Sequence, residues 1–451
     1  MDAMHIYDKP DLFSIPLDQE FPDLAPNFSL LYSPLTDSAL VADRQWITEF
    51  VRALEGKTAP AENMTGFIDM LQDFDRYPQY EADFTGVSSL AILPTAACNF
   101  RCSYCYSRFS RNQDTLDFDQ IIAVCGEFIH RNQHNPDSAI ISFMGGGEPM
   151  LFPRLLQAFS WCREYAEQLQ LPQLKLQLVT NGSLLTDENI RSLISSGVTV
   201  IFSFEILEDV QNRQRSSYSA VRENIRRFTA AGGNAVIRAT VTDLNVKLQD
   251  QMISEVKENY PAVKQVIFEP VLDTEKFHTP ELFADFFNTF SDNYFQALDS
   301  AGKYGIRLGT SLHNRVDAAS CRYCLPEWCV TPSGKFTVCH RLSSPEDTGF
   351  TENCFGEVSA DGNIIFDHAR WERIISENTN LSPHCRNCFA RWNCAGGCRI
   401  QNLLFPEKML PVRCQLTREF IKKMLLRRIE KMVRKEMGKS SLRELLMESV
   451  K

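Results

Sequence analysis

Fifteen cysteines are spread too unevenly along this 451-residue chain to be ordinary core residues. Three lie between positions 98 and 105, ten lie between 321 and 414, and only Cys125 and Cys162 stand apart. The opening stretch, MDAMHIYDKPDLFSIPLDQEF, has neither the basic region nor the apolar core of a secretory signal. No stretch approaches 18 consecutive apolar residues. We therefore expect a cytoplasmic protein that does not enter the membrane. In that reducing setting clustered cysteines act as metal or cluster ligands rather than as disulfides. Cys125 and Cys162, each in a helix-like stretch, read as small buried hydrophobes. The net charge of −10 argues against a nucleic-acid partner, whose footprint is a basic surface.

The rest of the chain divides by pattern into four stretches. Residues 1–86 contain FSLLY, an SPLTD turn and SALVA, then a helical run from Asp43 to Glu55, which reads as a hairpin followed by a helix. A second short helix is expected over 62–73. Residues 87–310 alternate strand-like runs (89–95, 139–144, 175–180, 198–204, 235–242 and 263–271) with amphipathic helices. Six units at βαβ spacing predict an α/β fold, a parallel sheet closed part-way into a (β/α)6 TIM-type barrel. Chemistry in such barrels sits at the C-terminal ends of the strands. Residues 311–414 are Cys-rich with little periodicity, and such a segment needs something other than a core to hold it together. Residues 415–451 begin with a basic amphipathic helix.

Cys98-Asn-Phe-Arg-Cys102-Ser-Tyr-Cys105 directly follows the first barrel strand. Three thiolates on one loop can hold three irons of a [4Fe–4S] cube and leave the fourth open to a small molecule. A structural zinc knuckle is the bland alternative. This CxxxCxxC spacing, with aromatic Tyr104 before the last cysteine, resembles the radical S-adenosylmethionine (SAM) superfamily. Three further stretches resemble the same family. Met144-Gly145-Gly146-Gly147-Glu148-Pro149 ends the second strand and is similar to its GGEP motif. Thr180-Asn181-Gly182 is similar to its TNG turn. Ser203-Phe-Glu205 with Arg215 is similar to its S-x-D-G…R stretch. The resemblance implies that SAM occupies the open iron and is contacted by Tyr104, Gly145, Gly146, Gly147, Glu148, Asn181, Ser203, Glu205 and Arg215. The chain departs from the family pattern at Glu205, Ile206 and Gln211, where Asp, Gly and His are usual, so the neighbouring substrate pocket need not match.

The later cysteines follow a second pattern: Cys324-x9-Gly334-x4-Cys339, then Cys385-x2-Cys388-x5-Cys394-x3-Cys398, then Cys414. It resembles the SPASM domain found behind radical SAM barrels in peptide-modifying enzymes. The resemblance implies two auxiliary [4Fe–4S] clusters, hence three in all. One takes Cys324, Cys339 and Cys398 with an upstream cysteine, for which Cys321 is the choice and Cys329 and Cys354 are rivals. An open iron at that position is a further alternative. The other takes Cys385, Cys388, Cys394 and Cys414. A zinc ribbon is the alternative for the segment.

What the resemblance implies for function is a peptide maturase, drawing electrons from a reductant such as flavodoxin or ferredoxin. It would abstract hydrogen from a precursor peptide that carries a leader, and install a C–C, C–O or thioether crosslink. Residues 1–86 are a possible leader-recognition module. Formylglycine synthesis of the sulfatase-maturing kind is a rival, but there an Asp follows the cysteine at the Cys339 position, and this chain has His340-Arg341. His340 is then a candidate base. An iron–sulfur electron carrier without enzymatic activity is the remaining alternative.

Overall fold

The computed structural model describes residues 3–449 apart from 9, 25–27, 80–83, 85, 109, 110, 136, 137, 172, 317, 318, 325, 380 and 381. Two sheets organise it. The first is antiparallel, in the order β1 (Met4–Tyr7), β2 (Leu12–Pro16), β3 (Phe28–Ser33), β4 (Ser38–Asp43). In β3, Phe28, Leu30 and Tyr32 belong to the main core, while Leu31 packs with Phe50, Met64 and Phe67 of the helices Arg44–Leu54 and Glu62–Gln72. That two-residue alternation buries both faces of the strand. The hairpin and both helices match the sequence expectation, and β1 and β2 are additions to it.

The second sheet has eleven strands. Six are the expected ones: β5 (Ser89–Ile92), β6 (Ile140–Phe143), β7 (Lys175–Thr180), β8 (Val198–Ser203), β9 (Ala235–Val241) and β10 (Gln265–Pro270). They run parallel in sequence order with helices between them. Helix starts are written in the sequence. Asp117 and Gln120 form a reciprocal capping box at Phe118–Arg131, and Thr186 caps Asp187–Ser195.

Two short strands extend the parallel run. β11 (Arg307–Gly309) joins β10, and β12 (Trp328–Val330) joins the free side of β5. β13 (Lys335–Thr337), β14 (Cys354–Val358) and β15 (Ile364–Phe366) continue antiparallel from β12. The sheet order ends at β11 and β15, so among the described residues the barrel stays open. The Cys-rich stretch is thus continuous with the barrel sheet.

The basic C-terminal helix runs over Leu410–Glu436, so Cys414 lies in its first turns. Phe420, Met424 and Leu425 are buried, and the Phe420 ring lies 5.2 Å from that of Phe295 on the helix Pro280–Lys303. Several of its cations are paired: Lys422 with Glu20, Lys423 with Asp292, and Arg428 with Asp37. A packed surface helix accounts for this pattern. Among the described residues no helix is long and apolar enough to cross a membrane.

Candidate active site

The loop that leaves the C-terminal end of β5 is held by short contacts before it reaches Cys98. Gly147 donates its N–H to the Thr95 carbonyl at 2.9 Å, and Glu148 donates to the Ala97 carbonyl at 2.8 Å. A Cβ on Gly147 would lie 1.9 Å from the Ala97 oxygen, so only glycine lets the two chains touch. Gly145 and Gly146 adopt φ of +60° and +65°, and line the cavity beyond. The glycine run therefore does two things: it braces the cysteine loop and presents backbone to a cavity.

Cys98, Cys102 and Cys105 are half-buried around this point. Burial raises the Cys98 and Cys102 thiols, and each is also raised by the Cys105 charge. Two guanidiniums oppose this. Arg111 donates to the Phe100 carbonyl at 2.7 Å and hydrogen-bonds Cys105; burial works against its charge, but the three cysteines raise its pKa. Arg215 lowers Cys102 from the other side. Such a pair of cations is what a cluster of thiolates needs, because buried charge is tolerated only when compensated. Arg111 was not legible from spacing.

Beside Cys102 lies a triad of which only the acid, Glu205, is fully buried. Tyr104 hydrogen-bonds to Glu205 through its hydroxyl, and Arg215 donates from Nη1 to that hydroxyl at 2.7 Å. The second Glu205 oxygen accepts from the Thr240 N–H at 2.9 Å, and the Glu205 N–H donates to Gln211 at 2.9 Å. Burial raises the Glu205 carboxyl despite Arg215 and Tyr104. Burial also opposes the Arg215 charge, which Tyr104, Cys102 and Glu205 hold above the ordinary arginine value. The Glu205 carboxylate is thus committed to positioning Arg215. The Arg215 Nε is buried without a hydrogen-bond partner.

Glu148 is spent in a similar way. Its carboxylate accepts from the Thr180 hydroxyl at 2.6 Å, the Asn181 N–H at 2.7 Å and the Met150 N–H at 3.1 Å. Asn181 donates to Asn99 at 2.8 Å, tying the end of β7 to the cysteine loop. Ser203 ends β8 half-buried on the cavity wall.

The cavity measures about 340 Å³ and is lined by the three cysteines, Tyr104, Arg111, the glycine run, Asn181, Ser203 and Arg215, with Glu205 and Asn99 standing behind it. At its other end it is walled by Tyr323, Cys324, Cys339, His340 and Cys398. The structure therefore brings both cysteine constellations to one space. Cys324 and Cys398 share a hydrogen bond, which raises the first thiol and lowers the second. Burial pushes Cys339 up to about 12, with the Cys398 charge adding to it. Cys385, Cys388, Cys394 and Cys414 act on one another instead; burial first, then Cys414, Cys388 and Cys385, carries Cys394 to about 12. Ala395, Gly396 and Gly397 have φ of +47°, +76° and +81°, and this left-handed run turns the chain so that Cys394 and Cys398 face different groups.

Cys321 is half-buried and is not among the groups that bear most on Cys324, Cys339 or Cys398. Cys329 packs in β12 with Ala91 and Leu93. Cys354 lies beside Arg370 and Lys335, and burial raises it to about 11. His340 is half-buried, with Nδ1 3.4 Å from Glu327. Glu327, with no motif around it, was not singled out by sequence.

The model of the Radical SAM superfamily matches residues 92–258. Among curated proteins, the tungsten-containing aldehyde ferredoxin oxidoreductase cofactor-modifying protein of Pyrococcus furiosus is 28% identical over 120 residues, 26% of this chain and 31% of that protein. The GTP 3′,8-cyclase of Rhizobium etli is 26% identical over 165 residues, 35% of this chain and 44% of that protein. The chain thus spans less than half the length of either relative. Two solved structures share the fold. One is anSMEcpe with bound AdoMet, at a TM-score of 0.59 and 18% identity over 75% of this chain and 98% of that one. The other is Streptococcus suis SuiB bound to precursor peptide SuiA, at a TM-score of 0.53 and 13% identity over 85% and 96%.

Proposed function

Residues 92–258 are a radical SAM domain, and from that premise we propose that the chain is a peptide-modifying radical SAM enzyme whose most fitting product is an intramolecular crosslink. The observation that carries this is the single cavity that joins Cys98, Cys102 and Cys105 to Cys324, Cys339 and Cys398. A mere electron carrier has no use for a chamber between its centres. The named structural neighbours include complexes with peptides, SuiB with SuiA among them, which supports a peptide as substrate.

The residues fit the implied groups. Cys98, Cys102 and Cys105 would hold a [4Fe–4S] cluster, their charge balanced by Arg111 and Arg215. The Arg215 guanidinium, on the cavity wall, is a place for a carboxylate or hydroxyl of SAM. Gly145 and Gly146 would present backbone to it. When bound, the cluster and SAM together supply a 5′-deoxyadenosyl radical that abstracts hydrogen. Forming a crosslink removes two hydrogens from the peptide, one as an atom and one as a proton with an electron that an auxiliary cluster would accept. His340, on the cavity wall, is placed to take that proton. The chain otherwise orients the peptide and excludes water.

Two auxiliary [4Fe–4S] clusters belong to this reading. One would use Cys385, Cys388, Cys394 and Cys414; the other would use Cys324, Cys339 and Cys398 with a fourth ligand. We carry over residues 1–86 as a leader-binding region, 87–310 as the barrel, 311–414 as the auxiliary-cluster domain and 415–451 as its helical tail. The β1–β4 sheet suits a leader because an extended peptide can add to a sheet edge.

Co-expression with a short precursor peptide and mass measurement tests the function. Loss of two hydrogens supports a crosslink, while an added oxygen or an unchanged mass overturns it. Arg215→Ala should weaken SAM binding tenfold or more, the worth of a hydrogen bond to a charged group at about 1.5–3 kcal/mol. Equilibrium dialysis with the anaerobic, cluster-loaded protein reads this directly.

A further inference from the structure

The cysteine group at the far end of the cavity has an acid beside it. β12 and β13 pair with Cys329 opposite Thr337. Glu327 and Cys339 flank this pair of strands just beyond its paired end. One ligand atom each from Glu327, Cys339 and His340 lie within 4.8 Å of one another. The Glu327 charge acts on Cys324 as well as on Cys339, and Cys324 is hydrogen-bonded to Cys398. Three sulfurs thus line this end of the cavity, and one carboxylate stands beside Cys339. The cysteine rivals are neighbours too: Cys329, fully buried with Ala91 and Leu93, feels the Glu327 and Cys339 charges, and Cys354 packs in the apolar cluster that also touches Cys339 and Cys398; the group of ligand atoms around Cys339 nevertheless contains Glu327 and neither of them.

We propose that Glu327 supplies the fourth ligand, a carboxylate oxygen, to an iron–sulfur cluster held by Cys324, Cys339 and Cys398. This rests on the auxiliary-cluster part of the proposed function. His340 fixes the carboxylate: its backbone N–H donates to Oε1 at 3.3 Å, and its ring Nδ1 lies 3.4 Å from the same oxygen. That leaves Oε2 as the oxygen for iron. An oxygen ligand holds its iron less covalently than a thiolate does. An iron held by Glu327 would therefore be the one most readily lost.

The test uses full-length protein with Cys98, Cys102 and Cys105 all changed to alanine, so that only the later cysteines bind iron. Reconstituted anaerobically, it should hold about eight irons, four per cluster. Adding Glu327→Gln, which keeps the side-chain size, should remove about one iron and give a [3Fe–4S] signal by electron paramagnetic resonance after mild oxidation. Adding Glu327→Cys should restore the iron and suppress that signal. Adding Cys321→Ala should change neither. The proposal is overturned if Cys321→Ala produces the three-iron signal while Glu327→Gln leaves the iron count intact. It is also overturned if the signal is absent from both. An iron-free parent would defeat the auxiliary-cluster reading itself, which separates that failure from a wrong fourth ligand.

Discussion

A chain with Cys98, Cys102 and Cys105 changed to alanine is expected to make no 5′-deoxyadenosine from SAM under reduction. Anaerobic assay with dithionite and chromatography checks this, and cleavage at the parental rate would refute the assignment of that loop. Iron content should fall by about a third, four atoms of twelve, because the other cysteines are grouped apart. The fold should survive. The three side chains are only half-buried, and the loop is anchored by Thr95, Ala97 and Asn99 rather than by the thiols.

The second large effect is expected from Gly147→Ala. The added methyl would meet the Ala97 oxygen at 1.9 Å and the Ala96 carbonyl carbon at 2.7 Å. Both are backbone, so neither can swing aside, and the cysteine loop must move. Overpacking of this kind costs roughly 2–3 kcal/mol, visible as a lower midpoint in chemical denaturation. The displaced loop should also lose cluster occupancy, read as a drop in absorbance near the cluster band. Gly66→Ala is the matched control. Gly66 lies in the helix Glu62–Gln72 with nothing within 4 Å of the added methyl. That change should stabilise by about 0.5–1 kcal/mol and leave the clusters untouched. Equal losses from both substitutions would remove the argument from close approach.

Much of the fold was legible because β5 to β10 carry four to seven residues each, long enough for periodicity and flanking helices to declare them. β11 and β12 have three residues each, shorter than any pattern can mark. β2 ends on Pro16, which reads as a break. In the site, the cysteines, the glycines and Arg215 announced themselves by spacing. Arg111 and Glu327 did not, because the loop fold and the β12–β13 pairing alone bring them to the sulfurs. Glu148 and Glu205 were read as direct SAM contacts. The geometry gives their carboxylates to Thr180, Asn181 and Met150 in one case and to Tyr104, Arg215 and Thr240 in the other.

β12 zips onto β5 with Trp328 beside Leu90 and Val330 beside Ile92. The Leu93 N–H goes to the Val330 carbonyl at 2.9 Å, just before the loop that leads to Cys98. Severing the chain after residue 310 would strip one flank of the strand that launches that loop and expose a raw hydrogen-bonding margin prone to self-association. The two halves therefore share a hinge-free frame, so the gap between their metal-binding ends is set by the ladder of a β-sheet rather than by a tether.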